Sequence, residues 1–168
     1  YIGTVAADHS FNEFLRFVEK AVKDDELAEL KFLIATKSDF EVPKTLEDSP
    51  RVVVRKGKPL SNDEINEAYA STYVVWNAYA RTTQSGVLAK SFMFGTPAIV
   101  LKCNLNEFME NGETVKAIED NNDAVQVKEA VNKIVADFDN YSKTCRKKFE
   151  EFFYYRKYNG EIGKLICG

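Results

Sequence analysis

The chain has 168 residues, 45% of them hydrophobic and 29% charged, with a formal net charge of -3. That size and composition fit one soluble globular domain with a sizeable core and leave little room for two. The slight acidic excess argues against a general nucleic-acid binder, which carries a basic surplus, and no apolar run approaches the roughly 18 residues a membrane helix needs.

Short apolar runs alternate with amphipathic stretches along the chain. Tyr1 to Val5 reads as a short strand, and Phe11, Phe14, Leu15, Val18 and Val22 then recur at helical spacing, which predicts a helix over about 10–23. Leu30 to Thr36 reads as a buried strand. A polar stretch holding Pro43 and Pro50 reads as loop, and Arg51 to Arg55 as a third strand. Ser61 and Glu64 have the spacing of a capping box and predict a short helix. Thr72 to Trp76 is the next strand, with Trp76 in the core. A helix over 84–94 is closed by Gly95 with Pro97 just beyond. Ala98 to Leu101 reads as strand, Asn104 to Glu110 as a short helix, and Val115 to Ile118 as a strand. Helices follow from about Asp123 and about Asn140.

This alternation predicts an α/β fold of three layers, Rossmann-like, with a mostly parallel sheet of about six strands and right-handed crossovers. Ligands in such sheets bind beyond the carboxyl ends of the strands. Cys103, Cys145 and Cys167 are odd in number and widely spaced. They fit neither a disulfide framework nor a zinc site, so a reducing, cytoplasmic setting is expected. Cys103 reads as a small buried apolar residue. The lone His9 excludes a multi-histidine metal centre. Because Tyr1 is not a methionine and already sits in a strand-like run, the chain reads as a segment cut from something longer, without a signal peptide.

The stretch from Asn77 to Val100 carries the chemistry. A loop leads into a helix near Gln84, Ser85, Gly86 and Val87, where unpaired N–H groups and the positive dipole end would face an anion. Gly86 admits close approach to the backbone, and Ser85 adds a hydroxyl. The same residues also serve as a plain helix cap.

Ala78-Tyr79, then Thr83-Gln84-Ser85-Gly86-Val87, then Gly95-Thr96-Pro97-Ala98-Ile99 resemble, in order and spacing, a motif of bacterial retaining GT-B glycosyltransferases of the group 1 type. Gly3 resembles the start of that family's first glycine-containing loop, Asn104 to Gly112 its later acidic stretch, and Asp123 to Val135 the helix after its Asn-rich turn. The resemblance implies two Rossmann-like domains facing across a cleft. The C-terminal domain, this chain, would hold a nucleotide-diphosphate sugar without a metal or other cofactor. The N-terminal domain, absent from this chain, would hold the acceptor. A sugar, in the manner of a hexosyltransferase, would pass to an acceptor hydroxyl with retention, in polysaccharide or glycolipid assembly.

The match departs from the family at four positions. Two family glutamates fall on Thr82 and Lys90, and the second of these usually holds the ribose, which Lys90 cannot do as a carboxylate would. The first-loop Arg and Lys that face the diphosphate fall on Thr4 and His9. His9 can still donate to a phosphate, and a plain helix-entry role is the other reading. Arg55, with Lys56 and Lys58, follows a strand end and either lines the base pocket or forms a solvated basic loop. Tyr79 either lines the donor pocket or packs, and Glu107 lies near the donor sugar or on a helix surface. The diphosphate set is therefore Ser85, Gly86, Val87, His9 and Thr4. The sugar and nucleoside set is Thr82, Thr83, Gln84, Lys90, Arg55, Tyr79 and Glu107, and no catalytic nucleophile is assigned.

The tail, residues 140–168, mixes Lys and Arg with Phe149, Phe152, Phe153, Tyr154, Tyr155 and Tyr158. It is expected to pack toward the absent domain, leaving an apolar patch here. The other reading is contact with a membrane surface carrying a lipid-linked acceptor, at the inner face. A degenerate nucleotide-binding module of the same fold is the main rival. A receiver domain lacks its acidic cluster here, and a dinucleotide-binding domain lacks its G-x-G-x-x-G.

Overall fold

In the computed structural model, which describes residues 1–81 and 86–154, five parallel strands form two sheets. They are β1 (Phe32–Ala35), β2 (Val52–Arg55), β3 (Val75–Asn77), β4 (Ala98–Leu101) and β5 (Val115–Ile118). β1 pairs with β2, with Ile34 opposite Val54, and β4 lies between β3 and β5, with Ile99 opposite both Trp76 and Lys116. All four residues of β4 are buried, because it has strands on both sides and helices on both faces. β2 has a neighbour on one side only, and its residues alternate between half-buried and exposed.

Side chains alternate across β4 and so build two cores. Ile99 and Leu101 face α1 (Phe11–Ala21) and α5 (Ala124–Ala136) and join Phe14, Val18, Trp76, Val127, Val131 and Ile134. Ala98 and Val100 face α4 (Gly86–Met93) and α6 (Phe138–Phe152) and join Leu88, Phe92 and Cys145. The expected three-layer α/β architecture is the observed one. α1 forms because Phe11, Phe14, Leu15, Phe17, Val18 and Ala21 line one stripe, all buried. α3 (Asn62–Ala70) starts on the predicted capping box: Glu64 N–H donates to Ser61 Oγ at 3.2 Å, and Ser61 N–H to Glu64 Oε2 at 2.8 Å. α4 ends at Gly95, whose φ of +72° suits glycine.

Three segments differ from the sequence reading. The first strand is reduced to one bridge, Ile2 to Ala35, because the chain turns away after Gly3 and Val5 N–H bonds to Ser38 Oγ at 3.2 Å instead of a ladder. The polar stretch before β2 holds a short helix, α2 (Lys44–Glu47), which follows Pro43 and buries Leu46. Residues 105–110 form turns, not a helix. A single 3-10 turn at Lys102–Asn104 precedes them, and Asn106 Oδ1 accepts the Phe108 N–H at 3.0 Å. That side chain competes with the helical backbone bond.

Candidate functional site

The loops after β3, β4 and β5 and the first loop, residues 3–10, meet at the carboxyl edge of the sheet, and amide side chains tie them together. Asn104, after β4, donates through Nδ2 to Tyr79 O at 2.7 Å. Asn121, after β5, donates through Nδ2 to Ala78 O at 2.7 Å and to Ser10 Oγ at 2.9 Å. Arg81 N–H reaches Asp8 O at 3.4 Å. Ser10 opens α1 with φ +51°, a left-handed conformation that a non-glycine residue adopts only where its surroundings hold it. α5 begins beside this edge, capped by Asp123, whose Oδ1 accepts from Val125 N at 2.9 Å. Hydrogen bonds from the Gln126 side chain first, and then from its backbone, hold the Asp123 carboxyl below the usual carboxylate range.

His9 and Tyr79 form the middle of this floor. Their rings stack at 4.5 Å between centroids and 14° between planes. His9 Nδ1 lies 2.9 Å from Thr4 O. A carbonyl only accepts, so Nδ1 carries the proton, and Nε2 becomes a donor only when the ring is protonated. Tyr79 is buried beneath it, 2% exposed, so it is floor and not an open wall. Burial pushes its hydroxyl up to about 12, with the Asn77 amide opposing and Asp8 adding a little, and the phenol stays neutral. Neither Tyr79 Oη nor Asn77 Nδ2 reaches hydrogen-bond geometry with a partner among the described residues. Gly3 lies alongside, where an added Cβ would stand 3.8 Å from Tyr79 Oη.

At the start of α4, Gly86 is exposed, and an added Cβ there would meet nothing within 4 Å among the described residues. Val87 turns inward and joins the cluster of Ile2, Ala35, Ala68, Tyr69 and Val75, which fixes where the helix starts. Thr82, Thr83, Gln84 and Ser85 lie outside the described residues. Thr4 is exposed in the first loop, with its carbonyl accepting from both His9 and the Tyr1 hydroxyl. Lys90 is half-buried and holds its ammonium 5.6 Å over the Phe94 ring, one turn toward the carboxyl end of α4. Arg55 is exposed at the end of β2, where its charge acts on Glu64. Its neighbour Lys56 is committed to Asp39, at 3.0 Å. Glu107 is exposed on the turn after the 3-10 segment, not on a helix.

The structure thus gathers Thr4, His9, Tyr79 and Gly86 at the carboxyl edge, while the Lys90 ammonium and Arg55 point to other neighbours. Sequence reasoning missed Asn77, Asn104 and Asn121. Their signal is a shared position, at or just after the ends of β3, β4 and β5. Cys103, expected to be buried, is exposed, because the 3-10 turn carries it outward. Cys145 is buried, and burial pushes its thiol up to about 12. Among the described residues no group of three or more His, Cys, Asp or Glu side chains assembles to hold a metal ion.

The aromatics of the tail divide. Phe149 and Phe153 pack on this domain; Phe152 and Tyr154 are partly exposed, although the Phe108 ring lies 5.1 Å from Phe152 as well as 5.2 Å from Phe153, and the Tyr154 ring lies 6.1 Å from Phe149. Tyr155 and Tyr158 lie outside the described residues. No helix among the described residues is long and apolar enough to cross a membrane.

A parallel sheet covered by helices on both faces, with its polar loops drawn together at the carboxyl edge, defines a Rossmann-like domain. The family model described as glycosyl transferases group 1 matches residues 1–137, and the chain belongs to that family. No curated protein matches. Among solved structures, the C-terminal domain of a glycosyl transferase group 1 family protein (LpcC) from Francisella tularensis is 12% identical at a TM-score of 0.64, over 89% of this chain and 80% of that one. TarM is 15% identical at a TM-score of 0.67, over 99% of this chain and 35% of that one. The pneumococcal O-GlcNAc transferase GtfA, in complex with UDP and GlcNAc, is 16% identical at a TM-score of 0.68, over 99% of this chain and 36% of that one. The fold is therefore that of the C-terminal domain of a GT-B protein, and the chain spans about a third of the length of TarM and GtfA.

Proposed function

We propose that this chain is the donor-binding domain of a retaining glycosyltransferase of the hexosyltransferase type, acting on a nucleotide-diphosphate sugar. The observation that carries this reading is the carboxyl edge itself. There the open helix start at Gly86 and the first loop, with Thr4 and the His9–Tyr79 stack, belong to one surface held by Asn104 and Asn121. The donor diphosphate would lie against the first turn of α4, with Ser85, Gly86 and Val87 as its cradle. His9 Nε2, when protonated, would add a charged donor. No metal is required for this arrangement, because helix dipole and side chains carry the compensating charge.

In the reaction, the bond from the anomeric carbon to the diphosphate oxygen breaks and a bond to the acceptor hydroxyl oxygen forms. The hydroxyl proton leaves with the nucleoside diphosphate. The acceptor would sit on a second, N-terminal domain of the same polypeptide, so this chain alone should bind donor and transfer nothing. A cytoplasmic setting fits the reading. A lipid-linked acceptor at the inner membrane face, in polysaccharide or glycolipid assembly, fits the exposed Phe152 and Tyr154 of α6.

The second reading is a degenerate nucleotide-binding module. The placement of Lys90 favours it, since the residue in the usual ribose-binding position is a cation resting on Phe94. Calorimetric titration with UDP, GDP and ADP tests both. Under the first reading one nucleotide binds, and Gly86→Val, which puts side-chain bulk into the open space, lowers affinity at least about tenfold, a change of about 1.4 kcal/mol. Absence of binding by all three at millimolar concentration, in the full-length protein as well as in this chain, would overturn the donor reading and mean that the nucleotide site itself is lost.

A further inference from the structure

Ser10 is the only non-glycine residue among the described residues with a left-handed backbone, at φ +51°. That conformation is unfavourable for any residue that carries a Cβ. The demand for it is local. Phe11 and Phe14 are buried in the core and fix where α1 starts. Residues 7–9 form a 3-10 turn just before it, and Ser10 N–H closes that turn on Ala7 O at 3.1 Å. The left-handed residue joins turn to helix, and His9, directly before it, stacks on Tyr79.

A serine at a helix start ordinarily accepts from an N–H of its own first turn. Ser10 caps no such group. Its Oγ, on a residue 1% exposed, accepts instead from Asn121 Nδ2 at 2.9 Å, across 111 residues of chain. The same Nδ2 donates to Ala78 O at 2.7 Å. Ser10 follows His9, and Ala78 precedes Tyr79. One buried amide therefore ties both segments that carry the stacked rings. The amide is itself held: its Oδ1 accepts from Asn122 Nδ2 at 3.3 Å, and Asn122 Oδ1 accepts from Arg16 of α1 at 2.6 Å.

We propose that Asn121 is a positioning residue of the donor site. It holds Ser10 left-handed, and so keeps His9 on Tyr79 with Nδ1 on the Thr4 carbonyl and Nε2 left for the diphosphate. The proposal rests on the reading that this edge takes a nucleotide diphosphate. Asn121 touches no ligand in this account and acts through Ser10 and His9. An asparagine suits the task, because its amide donates to two acceptors and brings no charge into a buried place. A glycine after His9 would need no such support.

Position 10 supplies the test. Ser10→Ala and Ser10→Gly both remove the hydroxyl and both leave the Asn121 bond to Ala78, so neither strands a buried carbonyl. Alanine keeps the penalty of the left-handed backbone, and glycine relieves it. Titration of the full-length protein with UDP, GDP and ADP reads affinity. Nitrogen NMR of the His9 imidazole, assigned by its loss in His9→Gln, reads the ring. Asn121→Ala and Ser10→Ala are expected to weaken binding of the nucleotide that the unmodified protein takes by about tenfold, the scale of one charge-assisted hydrogen bond. The imidazole signals should move from the Nδ1–H form toward those of a freely exchanging ring. Ser10→Gly should bind within about threefold of the unmodified protein. Asn121→Ala combined with Ser10→Gly should bind like Ser10→Gly, while the stability lost with the Ala78 bond does not return. A merely structural role cannot restore affinity without restoring stability. Unchanged affinity in Asn121→Ala and Ser10→Ala, whether or not the imidazole signals move, overturns the proposal and leaves the donor reading intact. A double variant as weak as Asn121→Ala alone overturns it too, because Asn121 then does not act through Ser10. Absence of nucleotide binding by the unmodified protein removes the donor reading and this proposal together.

Discussion

The two ends of the sheet are made of opposite chemistry. At the carboxyl end, side-chain amides of Asn104 and Asn121 reach backbone carbonyls of the β3 loop, and Ser10 is held in a left-handed conformation beside them. At the amino end, between β1 and β3, the walls are mostly apolar and the ladder stops at Tyr1. The domain fixes its own shape where the ligand is proposed to bind. A polar edge can be held by hydrogen bonds that water also reaches. An apolar gap through a sheet leaves backbone groups without partners, and such groups are costly when buried.

The largest test of that contrast is at the carboxyl end. Replacing Asn121 by Ala removes its bonds to Ser10 and Ala78, and the one it accepts from Asn122, and strands the Ala78 carbonyl in a buried place, at a cost of about 1–3 kcal/mol. Because Ser10 and the first loop then lose their anchor, nucleotide affinity should fall with stability. A midpoint unchanged in urea would mean that the asparagines do not hold this edge.

The smallest effect is expected at Lys90. Its ammonium rests over Phe94, on the flank of α4 and remote from the loops that the asparagines tie. Lys90→Ala should cost about 0.5–1 kcal/mol of stability and leave nucleotide affinity within about twofold, or about 0.4 kcal/mol. A larger loss of affinity would bring the ammonium into the site.

Local signals carried much of the fold. The stripe of α1, the capping box of α3, the unbroken apolar run of β4 and the Gly95 stop each predict the element that forms, because each is decided within a few residues. The failures come from competition that spacing does not display. Asn106 diverts the 105–110 segment into turns through its own side chain. The first strand turns away after Gly3, having paired with β1 only through Leu33 and Ala35. Less of the site was legible. The motif around Gly86 marked the helix start, and His9 was singled out. The stack of His9 on Tyr79 and the bonds of Asn104 and Asn121 join residues far apart in sequence, and only folding brings them together.

Trp76 is the only tryptophan in the chain. It lines the gap between β1 and β3, leans on Phe14 at 5.6 Å between ring centroids, and immediately precedes Asn77 at the carboxyl edge. One chromophore therefore stands at the junction of the two regions. Its emission should lie toward the blue while the indole is shielded and move to the red when water enters the gap. In this chain, intrinsic fluorescence reads the condition of the amino end without a label, and an energy-transfer partner attached at the exposed Cys103 would give the carboxyl edge its own optical signal.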